Sequence, residues 1–317
     1  MPSREARREN WKLKSETSKL NAEETGRSLW SDAWRQLRRS RLSMICLWII
    51  GFYAAAALYG EAVYLYYHWQ DTPAPYNVPH LALQYQAPAV GAHPLGTDGL
   101  GRDIGARLLQ GVRIAFQVGI ITSLIAIPIG VILGCLAGYF GGRTDDFIVW
   151  LYSTFASIPG LLFIFAIAMV VGKGLLGIYL GIGLTTWVNL CRLIRAEVIK
   201  HKARPYVLAA RSLGLGHARI IFRHILPNVF HIIIVSFTLR FSYAIGTEVF
   251  MSFLGIGVQG EPSWGLMIAN ARLRLWYGVW WEMAFTTLVI FVIVLAFNLL
   301  GDALRDALDP RLRTRDN

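Results

Sequence analysis

The sequence predicts an all-α integral membrane protein with six transmembrane helices, and three observations predict it. Of its 317 residues, 55% are hydrophobic and only 16% are charged, whereas a soluble domain carries about a quarter charged residues. Apolar runs long enough to cross a bilayer as helix recur six times. Lysine and arginine fall mostly on alternate segments between those runs. This composition excludes a disordered chain, a secreted disulfide scaffold and most cytosolic enzymes.

The first 41 residues are polar, with 11 Lys+Arg against six acidic residues. No cleavable leader is expected, since the first apolar run follows this arm. Trp30, Trp34 and Leu37 stand at i, i+4, i+7, among Arg35, Arg38, Arg39 and Arg41. That is the pattern of an amphipathic helix in the lipid headgroup region. Packing of the tryptophans on the protein's own inner face is the plainer alternative. The basic residues are diluted by acids and no binding motif appears, so nucleic acid is not an expected partner.

The first span is 42–67, its apolar run Met44–Tyr67 carrying only Glu61. A loop, 68–112, leads to a five-helix core, 113–303. In that core Ile114–Phe140, Phe147–Gly172, Gly174–Cys191 and Met283–Gly301 contain no charge, and Val229–Val258 contains Arg240 and Glu248. Pro128 predicts a kink in the second span, and Pro159-Gly160 a similar interruption of the third. Residues 304–317 form a short tail. The termini and even-numbered loops hold 24 Lys+Arg and the opposite side holds six. The asymmetry predicts a multi-pass protein with both termini in the cytoplasm. Cys46, Cys135 and Cys191 all sit in apolar runs and form no disulfide framework.

The most informative segment is the inside loop 192–228. Pro205 suits a helix first turn, Tyr206–Leu213 is helix-forming, and Gly214-Leu215-Gly216 breaks it. A second short helix is predicted near Ala218–Ile225, with Arg219 and Arg223 on one face and Pro227 ending it before the fifth span. Two short, partly apolar helices at an angle suit docking into a groove on another protein. Gly214-x-Gly216 lacks the strand–helix unit of a dinucleotide site.

This loop resembles the EAA loop of ATP-binding-cassette importer permeases. Ala209, Ala210, Gly214, Leu226 and Pro227 match its pattern, while Leu208 stands at the Glu position and His224 at a hydrophobic one. The form R-H-I-L-P-N is similar to the peptide/nickel branch of that family. Two outer motifs resemble the same branch. One is H-P-L-G-T-D-G-L-G-R-D, with His93, Gly96, Thr97, Asp98, Gly101, Arg102 and Asp103. The other is S-F-L-G-I-G-V-Q-G-E-P-S-W-G, Ser252–Gly265, altered at Gly260-Glu261-Pro262.

The resemblance implies the type I importer permease architecture and a transport subunit of a prokaryotic inner membrane, not an enzyme. The importer would carry di- or oligopeptides or a related substrate. The chain contains no G-x-x-x-x-G-K-[ST] phosphate loop. ATP and Mg are therefore implied for partners: two cytoplasmic ATP-binding subunits, beside a second homologous permease subunit and an extracytoplasmic solute-binding protein. Membrane lipid is the remaining partner. The alternative, a secondary transporter or channel, needs polar coupling groups at the midplane, and the spans offer few.

Single residues carry narrower expectations. Gly130, Gly134 and Gly138 recur every fourth residue, as close helix packing requires, and Gly177 and Gly181 repeat this more weakly. Glu248, Gln259 and Trp264 are candidates for the translocation path. Arg240 is expected in a structural pair or snorkelling to an interface. Asp98, Arg102 and Asp103 suit a turn held by Asp–backbone hydrogen bonds better than a metal site. No catalytic or metal-ligating residue is assigned, and no histidine falls mid-span.

Overall fold

The computed structural model describes residues 29–308, with side chains from Trp34 onward. The expectations for residues 1–28 and 309–317, and for the Trp30 side chain, lie outside the described residues. Those described are helical, with one isolated bridge between Thr97 and Asp103 and no strand. In order, the helices are α1 (Leu29–Arg39), α2 (Arg41–Trp69), α3 (Ile104–Phe140), α4 (Gly142–Ser157) and α5 (Gly160–Val171). Then follow α6 (Leu175–Lys202), α7 (Pro205–Ser212), α8 (His217–Phe253), α9 (Trp264–Ala271) and α10 (Trp281–Leu308). By length and composition α2, α3, α6, α8 and α10 can each cross a membrane. The pair α4–α5, bent by 89°, makes a sixth candidate when its two halves are taken as one span.

That bend is sharper than the kink expected at Pro159-Gly160. Ile158, before the proline, is driven into extended backbone (φ −90°, ψ 131°), so the helix stops and restarts. Pro128, by contrast, lies inside α3 without breaking it.

α3 also begins earlier than hydropathy suggests. Asp103 caps it by accepting from the Ala106 amide at 2.7 Å, so 104–112 is helix and not loop. Arg107 and Arg113 interrupt the apolar run, but both are buried and paired inside the protein.

α3 is the axis of the fold. One stretch of core joins α3 to α2, α8, α9 and α10 through Leu108, Val112, Tyr53, Phe241, Trp264 and Phe297. A second, at the other end of α3, joins Cys135 and Tyr139 to Ile194 and Val198 of α6, and to Val207 and Ile220. Over its 37 residues α3 spans roughly 55 Å. The end carrying His93–Asp103 is called the turn end, and the end carrying 203–228 the loop end.

At the loop end, Leu37 of α1 is buried with Cys46, Leu300 and Leu308. The arm helix thus packs on α10, while Trp34 remains half exposed with the Arg38 guanidinium 5.4 Å from its ring centre.

Candidate functional site

At the turn end, Asp98 organises its own loop. Its Oδ1 accepts from the Leu100 amide at 2.8 Å and the Arg102 amide at 2.9 Å, and its Oδ2 accepts from Arg102 Nε at 2.8 Å. Burial pushes this carboxyl up, but the Arg102 side chain and the two amides together bring it below the ordinary aspartate value. His93 Nδ1 lies 2.8 Å from Asp103 Oδ2. The Thr97 hydroxyl donates to the Leu83 carbonyl and accepts from the Gln86 amide, and its carbonyl accepts from Trp281 Nε1 at 3.1 Å. Gly101 must be glycine on two counts: its φ is +72°, and a Cβ there would stand 1.9 Å from the His80 carbonyl oxygen.

Buried arginines on α3 sew this turn to the rest. Arg107 donates to the Tyr76 carbonyl and to Asn77 Oδ1, both at 3.2 Å, and lies 3.5 Å from Asp98. Arg113 donates to Glu261 at 3.2 Å, and its guanidinium stands 3.8 Å from the ring centre of Tyr64. Tyr76 donates to the same Glu261 carboxylate; burial and that neighbour push its phenol up to about 12. Sequence reading counted Arg107 and Arg113 only as loop charges. Pairing across 148 residues leaves no local spacing signal to find.

The three path candidates separate in space. Glu248 is 1% exposed and accepts from the Ser252 hydroxyl at 2.6 Å. Trp264 is also 1% exposed; its indole donates to the Leu108 carbonyl at 3.2 Å, and its ring fills the space left by Gly111. Gln259 is exposed on the loop after α8 and bonds the Gly257 carbonyl. None of them lines the cavity of about 610 Å³ between α3, α4, α5, α6 and α8, whose wall includes Thr122, Asn189, Arg192, Arg240 and Tyr243. Arg240 and Glu248 do not pair: Arg240 donates to the carbonyl and hydroxyl of Thr186.

Gly130, Gly134 and Gly138 form the seam between α3 and α6. A Cβ at these positions would lie 2.9, 2.8 and 2.7 Å from the carbonyls of Trp187, Cys191 and Arg195. The two backbones therefore meet without side chains between them. Gly177 and Gly181 approach Ala168 and Ile164 of α5 in the same way.

At the loop end, Pro205 opens α7 and Gly214 turns the chain at φ +73°. Val207 and Ala210 face inward onto Ile220, Ile221 and Ile225. Arg211 lies over the Tyr139 ring, and the Tyr139 hydroxyl pairs with His217 at 3.0 Å.

The predicted second short helix does not end at Pro227. Residues Ile220–Ile225 form a π turn, with Leu226 donating to the Ile221 carbonyl, and run straight into the long helix. The wider turn carries the chain past a residue that has no N–H to donate, so Pro227 sits in the first turn of the next stretch. Leu208, Ala209, Gly216, Arg219, Arg223 and Pro227 are exposed, and His224 and Leu226 are half-buried. With Leu213 and Phe222 they present an apolar surface edged by cations.

Comparison with known proteins places the chain. The family model described as "Binding-protein-dependent transport system inner membrane component" matches residues 130–314. The one described as "N-terminal TM domain of oligopeptide transport permease C" matches 28–88. The dipeptide transport system permease protein DppC of Bacillus subtilis is 38% identical over 89% of this chain and 86% of its own length. The oligopeptide transport system permease protein OppC of the same organism is 37% identical, over 90% and 91%. The glutathione transport system permease protein GsiD of Pectobacterium atrosepticum is 34% identical, over 96% and 99%. A chain from the inward-facing MetNI methionine ABC transporter covers 64% of this chain and 96% of its own, at 17% identity and a TM-score of 0.48. The extent of the first match and the identity of the relatives decide the matter: this chain belongs to the binding-protein-dependent transport system inner membrane components.

Proposed function

We propose that the chain is one permease subunit of an ATP-binding-cassette importer that carries di- or oligopeptides, or a related molecule such as glutathione. The observation that carries this reading is the loop-end surface. Two short helical segments are braced from beneath by buried Val207, Ala210, Ile220 and Ile221, and they present Leu208, Leu213 and Phe222 outward. A helix pair held rigid from below and apolar above suits docking into a groove on a partner. The partner is a cytoplasmic pair of ATP-binding subunits, which supply the ATP and Mg chemistry. A second homologous permease completes the path, and an extracytoplasmic binding protein delivers the substrate. The similarity to the DppC, OppC and GsiD permeases supports the substrate class. The charge asymmetry supports placing the loop end and both termini in the cytoplasm.

Gly216→Glu tests the reading. No neighbouring atom lies within 4 Å of a Cβ at that position and its φ is −62°, so the fold tolerates the side chain while the docking surface gains a charge. Membrane insertion is expected to be normal, with co-purification of the ATP-binding subunits and uptake both reduced more than tenfold. Normal uptake would sink the docking assignment.

A further inference from the structure

We infer that the cavity at Arg240 is an anion-recognition site on the translocation path, and that it takes a carboxylate group of the passing substrate. The substrate role rests on the importer reading above; the site itself rests on the geometry. Thr186, which Arg240 contacts, stands 11 residues into α6, about 16 Å from its start at the usual helical rise. On α8, Arg240 lies 13 residues before the C-terminal end at Phe253, about 20 Å by the same measure. Both distances put the guanidinium near the middle of a hydrocarbon layer roughly 30 Å thick.

A cation at that depth normally pairs with a carboxylate or with backbone carbonyls, or faces a water-filled cavity, and Arg240 combines a carbonyl partner with a cavity. Among the described residues no carboxylate pairs with Arg240, and neither Asp nor Glu lines the cavity. Glu248, the other charge on its helix, is committed to Ser252. Two of the five guanidinium N–H donors go to Thr186, while buried Nε has no partner. Three donors thus have no hydrogen bond within the chain, and a carboxylate in the cavity that Arg240 lines suits the guanidinium's remaining capacity. The surrounding wall suits the same ligand. Asn189 is exposed on it, Ser236 and Tyr243 contribute hydroxyls, and Arg192 adds a second positive charge. A mere cap for the Thr186 carbonyl would need neither the spare donors nor a cavity of about 610 Å³ beside it.

The test is arginine labelling of the full-length chain in its assembled complex. Phenylglyoxal is applied in detergent, and modification at Arg240 is read by mass spectrometry of its peptides. The probes are N-acetylalanine, N-acetylalaninamide and inorganic phosphate at equal ionic strength. The proposal expects N-acetylalanine to slow labelling of Arg240 several-fold, with the amide and phosphate inert and exposed Arg143 unaffected throughout. No labelling, no protection, or equal protection by the amide or phosphate overturns it. In proteoliposomes containing the complete importer, Arg240→Gln is expected to lower dipeptide uptake per ATP hydrolysed about tenfold, and Arg240→Lys to restore most of it. Undiminished uptake by Arg240→Gln also overturns the substrate role. If the unaltered complex carries no dipeptide while carboxylate protection persists, the peptide-importer reading fails and the anion site stands.

Discussion

At the turn end of α3, Arg113 is 2% exposed and reaches Glu261 from a position 148 residues earlier in the chain. At the loop end, Phe222 is 63% exposed and Leu213 is 80% exposed. The first end spends its polar chemistry inward: Asp98, Thr97, Arg107, Arg113 and Tyr76 all bond within the chain. The second buries a small apolar base and turns its remaining side chains outward. The difference teaches that one end is a self-sufficient structure and the other a surface made to be completed. In the proposed importer, the sealed end faces the binding protein and the unfinished end faces the ATP-binding subunits.

Substitutions at the two ends break or sharpen this contrast. The largest expected effect is Arg113→Ala, which strands Glu261 beside Tyr76 and removes a buried guanidinium. Loss of one partner from a buried pair costs about 3–5 kcal/mol. Thermal unfolding in detergent is expected to show a large fall in Tm; a fall of only a degree or so would mean that the turn end is not a locked unit.

Gly134→Leu comes next, since its side chain would collide with the Cys191 carbonyl and Ile194. Forced separation of α3 and α6 is expected to destabilise by about 2–3 kcal/mol, read as faster proteolysis of the purified chain. Thr97→Val follows, at about 1 kcal/mol for the loss of its two hydroxyl bonds, visible as a lower urea midpoint. Smallest is Phe222→Asp: stability should stay within about 0.5 kcal/mol, while binding of ATPase subunits is lost. Destabilisation by Phe222→Asp equal to that of Arg113→Ala would erase the contrast.

Much of this architecture is legible in sequence, for a physical reason. A helix crossing lipid must be apolar along its length, so uninterrupted runs such as Ile114–Phe140 announce themselves. The glycine stripe 130–134–138 is likewise local, with a spacing that states its face. What sequence conceals is anything decided by a distant partner. Arg107 and Arg113 read as loop charges because hydropathy cannot see Asn77 or Glu261. Trp264 reads as a path residue until Gly111 is found beneath it. Arg240 reads as a half of a structural pair until its neighbours prove to be the Thr186 carbonyl and hydroxyl. The course of α8 through Pro227 depends on a wider turn just before it, and composition does not report turn width.

That wider turn, Ile220–Ile225, has a mechanical and an evolutionary consequence. Because the helix is continuous through it, a tilt of the loop segment would carry the rest of α8 with it as a lever. From Ile225 to Arg240 the arm measures about 22 Å, so a tilt of ten degrees about the loop displaces the guanidinium by roughly 4 Å. The same turn holds one residue more than an α-helical turn. Deleting one residue there would rotate the lower segment by about 100° relative to the shaft. The face that carries Phe222 would then point away from its present direction while every residue in the membrane kept its place. In the proposed importer, a chain with that deletion would need a compensating change on its docking partner.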